Sequence, residues 1–379
     1  MNNKNLCLFF TRGVSLKSWL ESGLFEREKQ IYEAHLNSGV LKSVVWLTYG
    51  SEDFLIANRL KMQGQLHVDI AVIQMPRVFN FLLGSWIYSL LLPFIHARVI
   101  KKCDIYKTNQ MDGSWTAVLA KFLYRKPLLL RTGYTQSIFL KKKNKNSFIL
   151  WLSSAVELFA YRSCSLGIVS SYQDKYYLIK KYNLASNKVK VIHNYINTEF
   201  FKPKESVKYK NRVVFVGRLN KQKNLINLID AIIQTNLTLD IYGEGELRDA
   251  LQSHAANKGA KVNFLGVVNN NELPDLLNQY KYYILPSLFE GMPKTLLEAM
   301  SCSLVCIGTN ANGINEVIDD GVNGFLSTGF DATNLVDVIN KVLAYENIDD
   351  IAYQARSLVV DRYSLPYVQQ KEKEVLASV

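Results

Sequence analysis

The sequence predicts an α/β protein of two domains, each built on a parallel β-sheet. Short apolar segments rich in β-branched and aromatic residues alternate with longer helical patterns along the whole chain, which is typical of repeated βα units. The length of 379 residues exceeds what one hydrophobic core commonly supports. A polar stretch at residues 201–211, FKPKESVKYKN, interrupts the alternation as an interdomain linker would. We therefore predict a first domain at residues 1–204 and a second at residues 205–365.

Twelve strands are predicted from these apolar segments, with helices in the gaps. Seven belong to the first domain, at residues 6–11, 43–49, 68–74, 104–110, 127–133, 166–171 and 189–194. Five belong to the second, at residues 212–217, 237–243, 262–266, 282–287 and 305–309. The strands repeatedly end at Gly, Ser or Thr, so short loops at the carboxyl edges of both sheets can approach a ligand closely. We expect two Rossmann-like domains that face each other across a cleft.

The composition is that of an ordinary globular protein. With 48% hydrophobic and 21% charged residues, it excludes a disordered, collagen-like or mucin-like chain. The five cysteines are scattered, without C-x-x-C blocks or a histidine cluster, so neither a disulfide framework nor a zinc site is expected. The first apolar run, ahead of Thr11 and Arg12, is too short for a secretory signal. These features predict a protein of the reducing cytoplasm.

One segment has the length of a membrane span. Residues 78–95 carry no formal charge over eighteen positions. The segment also contains Asn80, Ser85, Ser89 and Pro93, which favours a buried or interfacial helix over a true span.

Positive charge is concentrated in the first domain. Residues 1–204 hold 29 Lys and Arg against 12 Asp and Glu, whereas residues 205–379 hold 16 against 21. Basic stretches at residues 101–102 and 141–146 adjoin apolar segments with Trp and Phe, which suits an anionic membrane surface or a phosphate-bearing acceptor. A solvated basic face that only aids solubility is the alternative. No nucleic-acid-binding motif accompanies the charge, so we expect no nucleic-acid partner.

The most informative segment is residues 285–309, LPSLFEGMPKTLLEAMSCSLVCIGT. A strand ends near Ser287, a turn contains Glu290 and Gly291, and Pro293 stands where the first position of a new helix would fall. The unpaired N–H groups at this helix start could bind a diphosphate or sugar hydroxyls. They belong to Met292, Lys294 and Thr295.

Two carboxylates belong to this segment. Glu290 lies in the turn and Glu298 on the helix, eight positions further on. Together they could accept hydrogen bonds from hydroxyls on two parts of a long polar ligand. A solvated pair of glutamates beside a buried helix is the alternative.

A second constellation is residues 214–224, VFVGRLNKQKN. Gly217 closes a buried strand, and Arg218 and Lys223 follow in the loop ahead of another helix, as in a diphosphate cradle. The segment has neither G-x-x-x-x-G-K-S/T nor a full G-x-G-x-x-G. Taken alone, the two cations are also consistent with ordinary surface charges.

Glycines also close the next two strands. Gly243 begins the turn of IYGEGELRDAL, and Gly266 ends VNFLG. Backbone groups around Gly266 and Val267 could hold the edge of a nucleobase.

Five motifs of the second domain follow one another over residues 212–362. They are GRL with a downstream lysine, YGEGELR, FLG, EGMPKTLLEAM and GINEVIDDGVNGFL. In order and spacing they resemble the donor domain of the retaining nucleotide-sugar glycosyltransferases of family four. The resemblance implies the GT-B fold and a further turn near the sugar at residues 312–316. The chain departs from the family at Ser303 and Leu304, where relatives usually carry a Gly-x-Pro turn.

The resemblance also implies roles for the charged residues. The signature of two glutamates separated by seven residues falls on Glu290, for the transferred sugar, and Glu298, for the ribose. Arg218 and Lys223 would bind the diphosphate and neutralise the leaving group as the glycosidic bond breaks. Glu290, Arg218 and Lys223 are therefore the predicted catalytic residues.

The first domain resembles the family less closely. Residues 11–32 resemble the amino-terminal loop of relatives that act on bacterial surface polysaccharides, with Gly13 where a donor phosphate could meet backbone N–H groups. Many members carry a histidine after the fifth strand, where this chain has Arg131 and Tyr134. We assign these two residues to the acceptor and predict no catalytic histidine. His193 is interpreted as structural or interdomain.

The predicted function follows from the resemblance. The protein would move a hexose-type sugar, with retention, from a UDP- or GDP-linked donor to a glycan or polyprenyl-diphosphate-linked acceptor in cell-surface polysaccharide synthesis. The departing phosphate would accept the acceptor's proton. Neither a metal nor another cofactor is expected, since the chain has no Asp-x-Asp run.

Two further expectations and two alternatives complete this interpretation. The basic first domain would hold the protein peripherally at the inner face of an anionic membrane. The final helix, residues 366–379, would cross back to the first domain. A nucleotide-sugar epimerase or hydrolase of similar fold is one alternative, and a non-catalytic two-lobed sugar-binding protein is the other.

Overall fold

The computed structural model describes residues 3–133, 135–142 and 146–379. The chain divides into two compact units. The first runs to Ile192 and also takes in Gln369–Val379, and the second is His193–Val368. The predicted boundary at residues 204 and 205 lies inside the second unit, because Ile196 and Phe201 are buried in that unit's core.

A seven-stranded parallel sheet forms the centre of the first unit. Its strands are β1 (Lys4–Phe9), β2 (Leu41–Leu47), β3 (Ile70–Ile73), β4 (Ile105–Thr108), β5 (Leu128–Thr132), β6 (Leu166–Val169) and β7 (Val189–Val191). They are ordered β3-β2-β1-β4-β5-β6-β7. The order reverses between β1 and β4, so the topological switch point, where open α/β sheets bind ligands, lies there.

In the part of the chain that the structure describes, nine helices lie between these strands. They are α1 (Leu16–Glu21), α2 (Phe25–Asn37), α3 (Asp53–Met62), α4 (Gly84–Ile95), α5 (Ala97–Ile100), α6 (Ser114–Tyr124), α7 (Gln136–Lys142), α8 (Ser147–Ser163) and α9 (Tyr172–Tyr182). Short 3₁₀ turns occur at Arg77–Phe79 and Ser186–Lys188.

The second unit has a six-stranded parallel sheet. Its strands are β8 (Arg212–Val216), β9 (Thr238–Tyr242), β10 (Val262–Gly266), β11 (Tyr282–Leu285), β12 (Val305–Thr309) and β13 (Phe325–Ser327). The order β10-β9-β8-β11-β12-β13 reverses between β8 and β11, which places the switch point of this unit between the two segments that the sequence singles out.

The helices of the second unit flank this sheet. They are α10 (Leu225–Ile232), α11 (Arg248–Lys258), α12 (Leu273–Asn278), α13 (Lys294–Ser301), α14 (Ala332–Leu343) and α15 (Ile348–Tyr363). A 3₁₀ turn, Lys221–Lys223, precedes α10. The last helix, α16 (Leu365–Ala377), belongs to the first unit from Gln369 onward.

The predicted α/β fold with two parallel sheets is confirmed. The burial of the central strands explains why their sequence pattern predicted it. Val213, Val214 and Phe215 of β8 are fully buried, because helices cover both faces of the sheet. Such strands are continuous apolar runs in the sequence. All twelve predicted strands are present, with ends shifted by at most three residues. The thirteenth strand, β13, was not predicted because it has only three residues.

The uncharged segment at residues 78–95 forms the end of a 3₁₀ turn and then α4. Helix α4 buries Tyr88, Ser89 and Leu92 against the first unit and exposes apolar side chains on its other side. Across the ranges described above, no helix has both the length and the apolar character needed to traverse a bilayer.

Candidate active site

The candidate site lies at the switch point of the second unit, where the loops after β8 and β11 meet. The backbone N–H of Leu288 donates to the carbonyl oxygen of Gln222 over 2.9 Å. The side-chain amide of Gln222 donates to the carbonyl oxygen of Phe289 over 2.8 Å. These bonds tie the two predicted constellations into one structure. Gln222 was not singled out from the sequence, although it stands between the two lysines of the KQK run.

Three glycines at the ends of β8, β9 and β10 let the neighbouring loops approach closely. Gly217 donates to the carbonyl oxygen of Tyr242 over 2.9 Å, and Gly243 donates to that of Gly266 over 2.7 Å. Gly243 has φ +142°, and a Cβ there would lie 1.8 Å from the carbonyl oxygen of Gly217. Only glycine fits this contact. The hydrogen bonds of Gly217 and Gly243 join the carboxyl ends of β8, β9 and β10 into one continuous backbone edge. The side chain of Val267, just beyond it, is exposed.

An ion pair joins the two loops. The Nζ of Lys223 lies 2.5 Å from Oε1 of Glu290, and the side chains are only 13% and 10% exposed. Gln222 donates to the other carboxylate oxygen over 3.3 Å. The backbone N–H of Glu290 donates to the carbonyl oxygen of Asn312 over 2.9 Å. The sequence prediction that Lys223 and Glu290 belong to one site agrees with this geometry.

The turn after β12 packs on the turn that carries Glu290. Gly313 has φ +82°, and a Cβ on it would lie 2.2 Å from the carbonyl oxygen of Gly291. The predicted turn at residues 312–316 therefore lies against the candidate site.

The other two charged residues differ in exposure. Arg218, in the loop after β8, is exposed, and its guanidinium forms no ion pair with any residue that the structure describes. Glu298, on α13, is 1% exposed. Since Glu290 is also mostly buried, the alternative of a solvated glutamate pair is wrong.

Helix α13 begins one residue later than the sequence suggested. Pro293 is its N-cap, and Lys294 is its first residue. Around this helix start, Asn194 donates to the carbonyl oxygen of Met292 over 3.2 Å, and Tyr283 donates to Oγ1 of Thr295 over 2.9 Å. Burial raises the pKa of Tyr283 well above its ordinary value, so its hydroxyl stays protonated as a donor.

Ser303, the departure from the family pattern, occupies a left-handed backbone position after α13, with φ +57°. A glycine adopts this conformation without strain, which accounts for the glycine that relatives usually carry at this turn.

The predicted residues of the first unit have separate surroundings. Gly13 lies in an exposed turn after β1, with φ +76°. Arg131, on β5, donates to Oε1 of Glu372 in α16 over 3.1 Å, so this unit already supplies a partner for its guanidinium. Tyr134 lies outside the described residues. His193, predicted in the first domain, belongs to the second unit, where its ring centroid lies 5.1 Å from that of Tyr363, as a structural role would require.

The switch point of the first unit holds a group that sequence reasoning missed. Arg12 forms two hydrogen bonds with the carboxylate of Asp112, of 3.1 and 3.0 Å. The guanidinium also lies 3.7 Å from the ring centroid of Trp86. Nothing in the local sequence links residues 100 positions apart.

Two family models match consecutive parts of the chain. Residues 43–200 match Glycosyltransferase Family 4, and residues 197–357 match Glycosyl transferases group 1.

Individual proteins extend this similarity. The UDP-Gal:alpha-D-GlcNAc-diphosphoundecaprenol alpha-1,3-galactosyltransferase of Escherichia coli is 29% identical over 294 residues, covering 73% of this chain and 75% of that protein. The GalNAc-alpha-(1->4)-GalNAc-alpha-(1->3)-diNAcBac-PP-undecaprenol alpha-1,4-N-acetyl-D-galactosaminyltransferase of Campylobacter jejuni is 25% identical over 287 residues, with 73% and 76% covered. The crystal structure of Anabaena HepE in complex with UDP and glucose is 21% identical, has a TM-score of 0.75, and covers 100% of both chains. By these matches and its two parallel sheets, the chain belongs to the family four glycosyltransferases and has the GT-B fold.

Proposed function

We propose that this glycosyltransferase moves a hexose from a UDP-sugar to a saccharide carried on a polyprenyl diphosphate, with retention, in surface polysaccharide assembly. The observation that carries the proposal is the Lys223–Glu290 pair at the switch point of the second unit, which presents a cation and an acid side by side. The names of both curated relatives specify undecaprenol diphosphate carriers and α linkages. An α linkage formed from an α-linked nucleotide sugar retains the anomeric configuration.

The donor would bind through complementary charges and backbone groups. Arg218 is exposed and has no ion-pair partner among the described residues, so its guanidinium is available to a diphosphate. Lys223 would exchange Glu290 for the same diphosphate. The released carboxylate could then accept hydrogen bonds from sugar hydroxyls. The start of α13 adds backbone N–H groups, and Glu298 is assigned to the ribose.

Catalysis would rest on stabilising the leaving group. As the glycosidic bond breaks, negative charge would grow on the diphosphate, and Arg218 and Lys223 would offset it. The departing phosphate oxygen would take the proton of the attacking hydroxyl on the same face of the sugar. Two cations supply the charge that a divalent ion would otherwise give, so we propose a reaction that needs no metal. A GDP-linked donor is the alternative to UDP.

The acceptor would be presented at a membrane. A polyprenyl diphosphate keeps its lipid in the bilayer, so the protein must work at its surface. The basic first unit fits peripheral association with anionic lipids. Contacts of Arg131 and Tyr134 with the acceptor stay a prediction.

A transfer assay with matched variants tests the proposal. Purified protein is incubated with a panel of UDP- and GDP-hexoses and a pool of polyprenyl-diphosphate saccharides, and products are identified by mass spectrometry and by the anomeric coupling in NMR spectra. We expect Lys223→Ala and Glu290→Gln to lower kcat/KM by about 100- to 1,000-fold, as for loss of one charge-stabilising group. Lys221→Ala, an exposed lysine of the same 3₁₀ turn, serves as the control and should change kcat/KM less than threefold.

Other outcomes would favour the alternatives. Epimerisation or hydrolysis of the nucleotide sugar without an acceptor would support the first alternative, a nucleotide-sugar epimerase or hydrolase, and contradict a transferase. Thermal stabilisation by free sugars but not by UDP or GDP would indicate the sugar-binding protein.

A further inference from the structure

An apolar surface on the first unit has no role in the site described above. Helices α4, α6 and α8 expose large apolar side chains to solvent, on the side where a surface helix normally carries polar residues. We define the apolar face by six of these residues, Leu90, Phe94, Phe122, Trp151, Leu152 and Phe159. Trp151 is 65% exposed and Phe122 60% exposed.

The three helices are neighbours, so their exposed side chains form one surface. The hydroxyl of Tyr124 in α6 donates to the carbonyl oxygen of Pro93 in α4 over 2.7 Å. The rings of Phe122 in α6 and Phe159 in α8 have centroids 6.4 Å apart. A contiguous apolar surface of this kind is unusual on a soluble domain and marks an interaction site.

Basic side chains lie at the carboxyl ends of α5, α6 and α8. We call these exposed residues the basic rim: Arg98, Lys101, Lys102, Arg125 and Arg162. Helices that connect parallel strands run in one direction, so their carboxyl ends share one edge of the unit. The contact of Lys101 with the ring of Tyr124, at 5.3 Å, shows that the ends of α5 and α6 meet there.

Acidic residues are nearly absent from this region. Residues 70–173 contain fourteen Lys and Arg but only three Asp and Glu. Each of the three is engaged within the unit: Asp104 accepts from Asn5, Asp112 pairs with Arg12, and Glu157 is fully buried. The charge that this segment presents to solvent is therefore strongly positive.

We infer that the apolar face inserts into the interfacial layer of an anionic lipid bilayer while the basic rim contacts the lipid phosphates. The twelve residues of α4 rise about 18 Å against a hydrocarbon core of about 30 Å, so α4 lies along the surface. A second copy of the chain is the less suitable occupant, because two basic rims would be brought together. The inference extends the membrane association of the proposed function but does not depend on sugar transfer.

Vesicle sedimentation with the full chain, without donor or acceptor, tests the inference. Vesicles of phosphatidylglycerol and phosphatidylethanolamine are compared with phosphatidylcholine vesicles at low and high salt. The variant Leu90→Ser, Phe94→Ser, Trp151→Ser should bind anionic vesicles at least tenfold more weakly at both salt concentrations. The control Phe54→Ser, Leu55→Ser, Val68→Ser removes equally exposed apolar residues elsewhere in the unit and should change binding less than twofold.

The basic rim has its own variant and readout. Lys101→Glu, Lys102→Glu, Arg125→Glu should weaken binding at least tenfold at low salt and much less at high salt, because salt screens exposed charges. Brominated lipids should quench the fluorescence of Trp151, and Trp151→Phe should remove that part of the quenching. Circular dichroism melting shows whether each variant is folded.

Three results would overturn the inference. In the first, the wild-type protein stays in solution with anionic vesicles. In the second, the apolar variant sediments like wild type. In the third, the wild-type protein is a dimer that does not bind vesicles, and the apolar substitutions dissociate that dimer. Transfer to a short-chain, water-soluble acceptor separates the two proposals. Transfer without vesicle binding removes only the membrane inference, and vesicle binding without transfer removes only the proposed function.

Discussion

Glu372, on the last helix, is the anion of a buried charged cluster in the first unit. Its carboxylate oxygens lie 3.0 and 2.9 Å from Nζ of Lys107, and Oε1 lies 3.1 Å from Nη1 of Arg131. Nε2 of His35 lies 3.3 Å from Oε2. We predict that Glu372→Gln destabilises the first unit, because the amide keeps the shape of the side chain and removes the charge that these cations share.

The magnitude follows from burial. The side chains of Glu372 and Lys107 are only 6% and 3% exposed, so water does not screen the charges left behind. Removing one partner of a buried ion pair costs about 3–5 kcal/mol, and we expect a loss of that size in the free energy of unfolding. A variant with Lys107→Met added should recover part of it, since the uncompensated lysine is then gone.

The pH dependence has a definite sign. Burial alone would raise the pKa of Glu372, but Lys107, the His35 hydrogen bond and Arg131 together hold it well below its ordinary value of 4.5. The carboxylate therefore stabilises the fold above pH 4.5, and this contribution is lost as the pH falls through the depressed native pKa. Burial lowers the pKa of Lys107, and Glu372 opposes that shift while Arg131 adds to it. The carboxylate of Glu372, which accepts from two cations, is strongly stabilised, whereas Lys107, which also lies near Arg131, is only partly compensated.

Guanidinium denaturation checks the prediction, with hydrogen exchange to assign the loss to the first unit. Glu374→Gln is the matched control, since Glu374 lies on the same helix, is 50% exposed and pairs with Lys371. We expect the control to change stability by less than about 0.5 kcal/mol. The reasoning fails if Glu372→Gln costs no more than Glu374→Gln, or if wild type and Glu372→Gln lose stability equally on acidification.

Four further predictions concern the second unit and its chemistry. Gly243→Ala should abolish UDP binding in calorimetry, because its Cβ would overlap the carbonyl of Gly217, whereas Gly259→Ala, with open space around it, should bind UDP normally. Ser303→Gly should raise the free energy of unfolding by about 1 kcal/mol in denaturation, because it relieves a left-handed backbone conformation. EDTA should leave the transfer rate within twofold of the rate of untreated protein. Loss of activity in EDTA that Mg²⁺ restores would contradict a metal-free reaction. Glu290→Gln should tighten UDP binding in calorimetry while lowering transfer, and weaker UDP binding would contradict the exchange of partners by Lys223.

The fold was predictable to the extent that local burial determines it. Residues 213–216 are a continuous apolar run because both faces of β8 are covered, and the structure has a strand there. The interdomain division was harder to locate. The polar composition of residues 201–211 suggested a linker, but Phe201 at its start is buried in the second unit, which already begins at His193.

The candidate site was predictable where the sequence fixes which loop follows which strand. Arg218, Lys223 and Glu290 all follow strands, so each was expected at a carboxyl edge. That β8 lies beside β11 depends on packing across the whole sheet, which no local pattern records. The same limit applies to the ion pair of Arg131, because its partner Glu372 is 241 residues away in sequence and no local pattern links the two.

If Lys223 and Glu290 bind the donor as proposed, the ion pair at the switch point couples the two halves of that donor. While Lys223 holds Glu290, the cation and the acid satisfy each other, and both side chains are mostly buried. In the proposed donor complex, a diphosphate would offer Lys223 two negative charges in place of one and would displace the carboxylate. The displaced carboxylate is then left poorly solvated unless a hydroxyl donates to it, and the sugar of the same donor carries such hydroxyls. A nucleotide without its sugar would leave Glu290 unsatisfied, which favours the intact nucleotide sugar over the free nucleotide at this site.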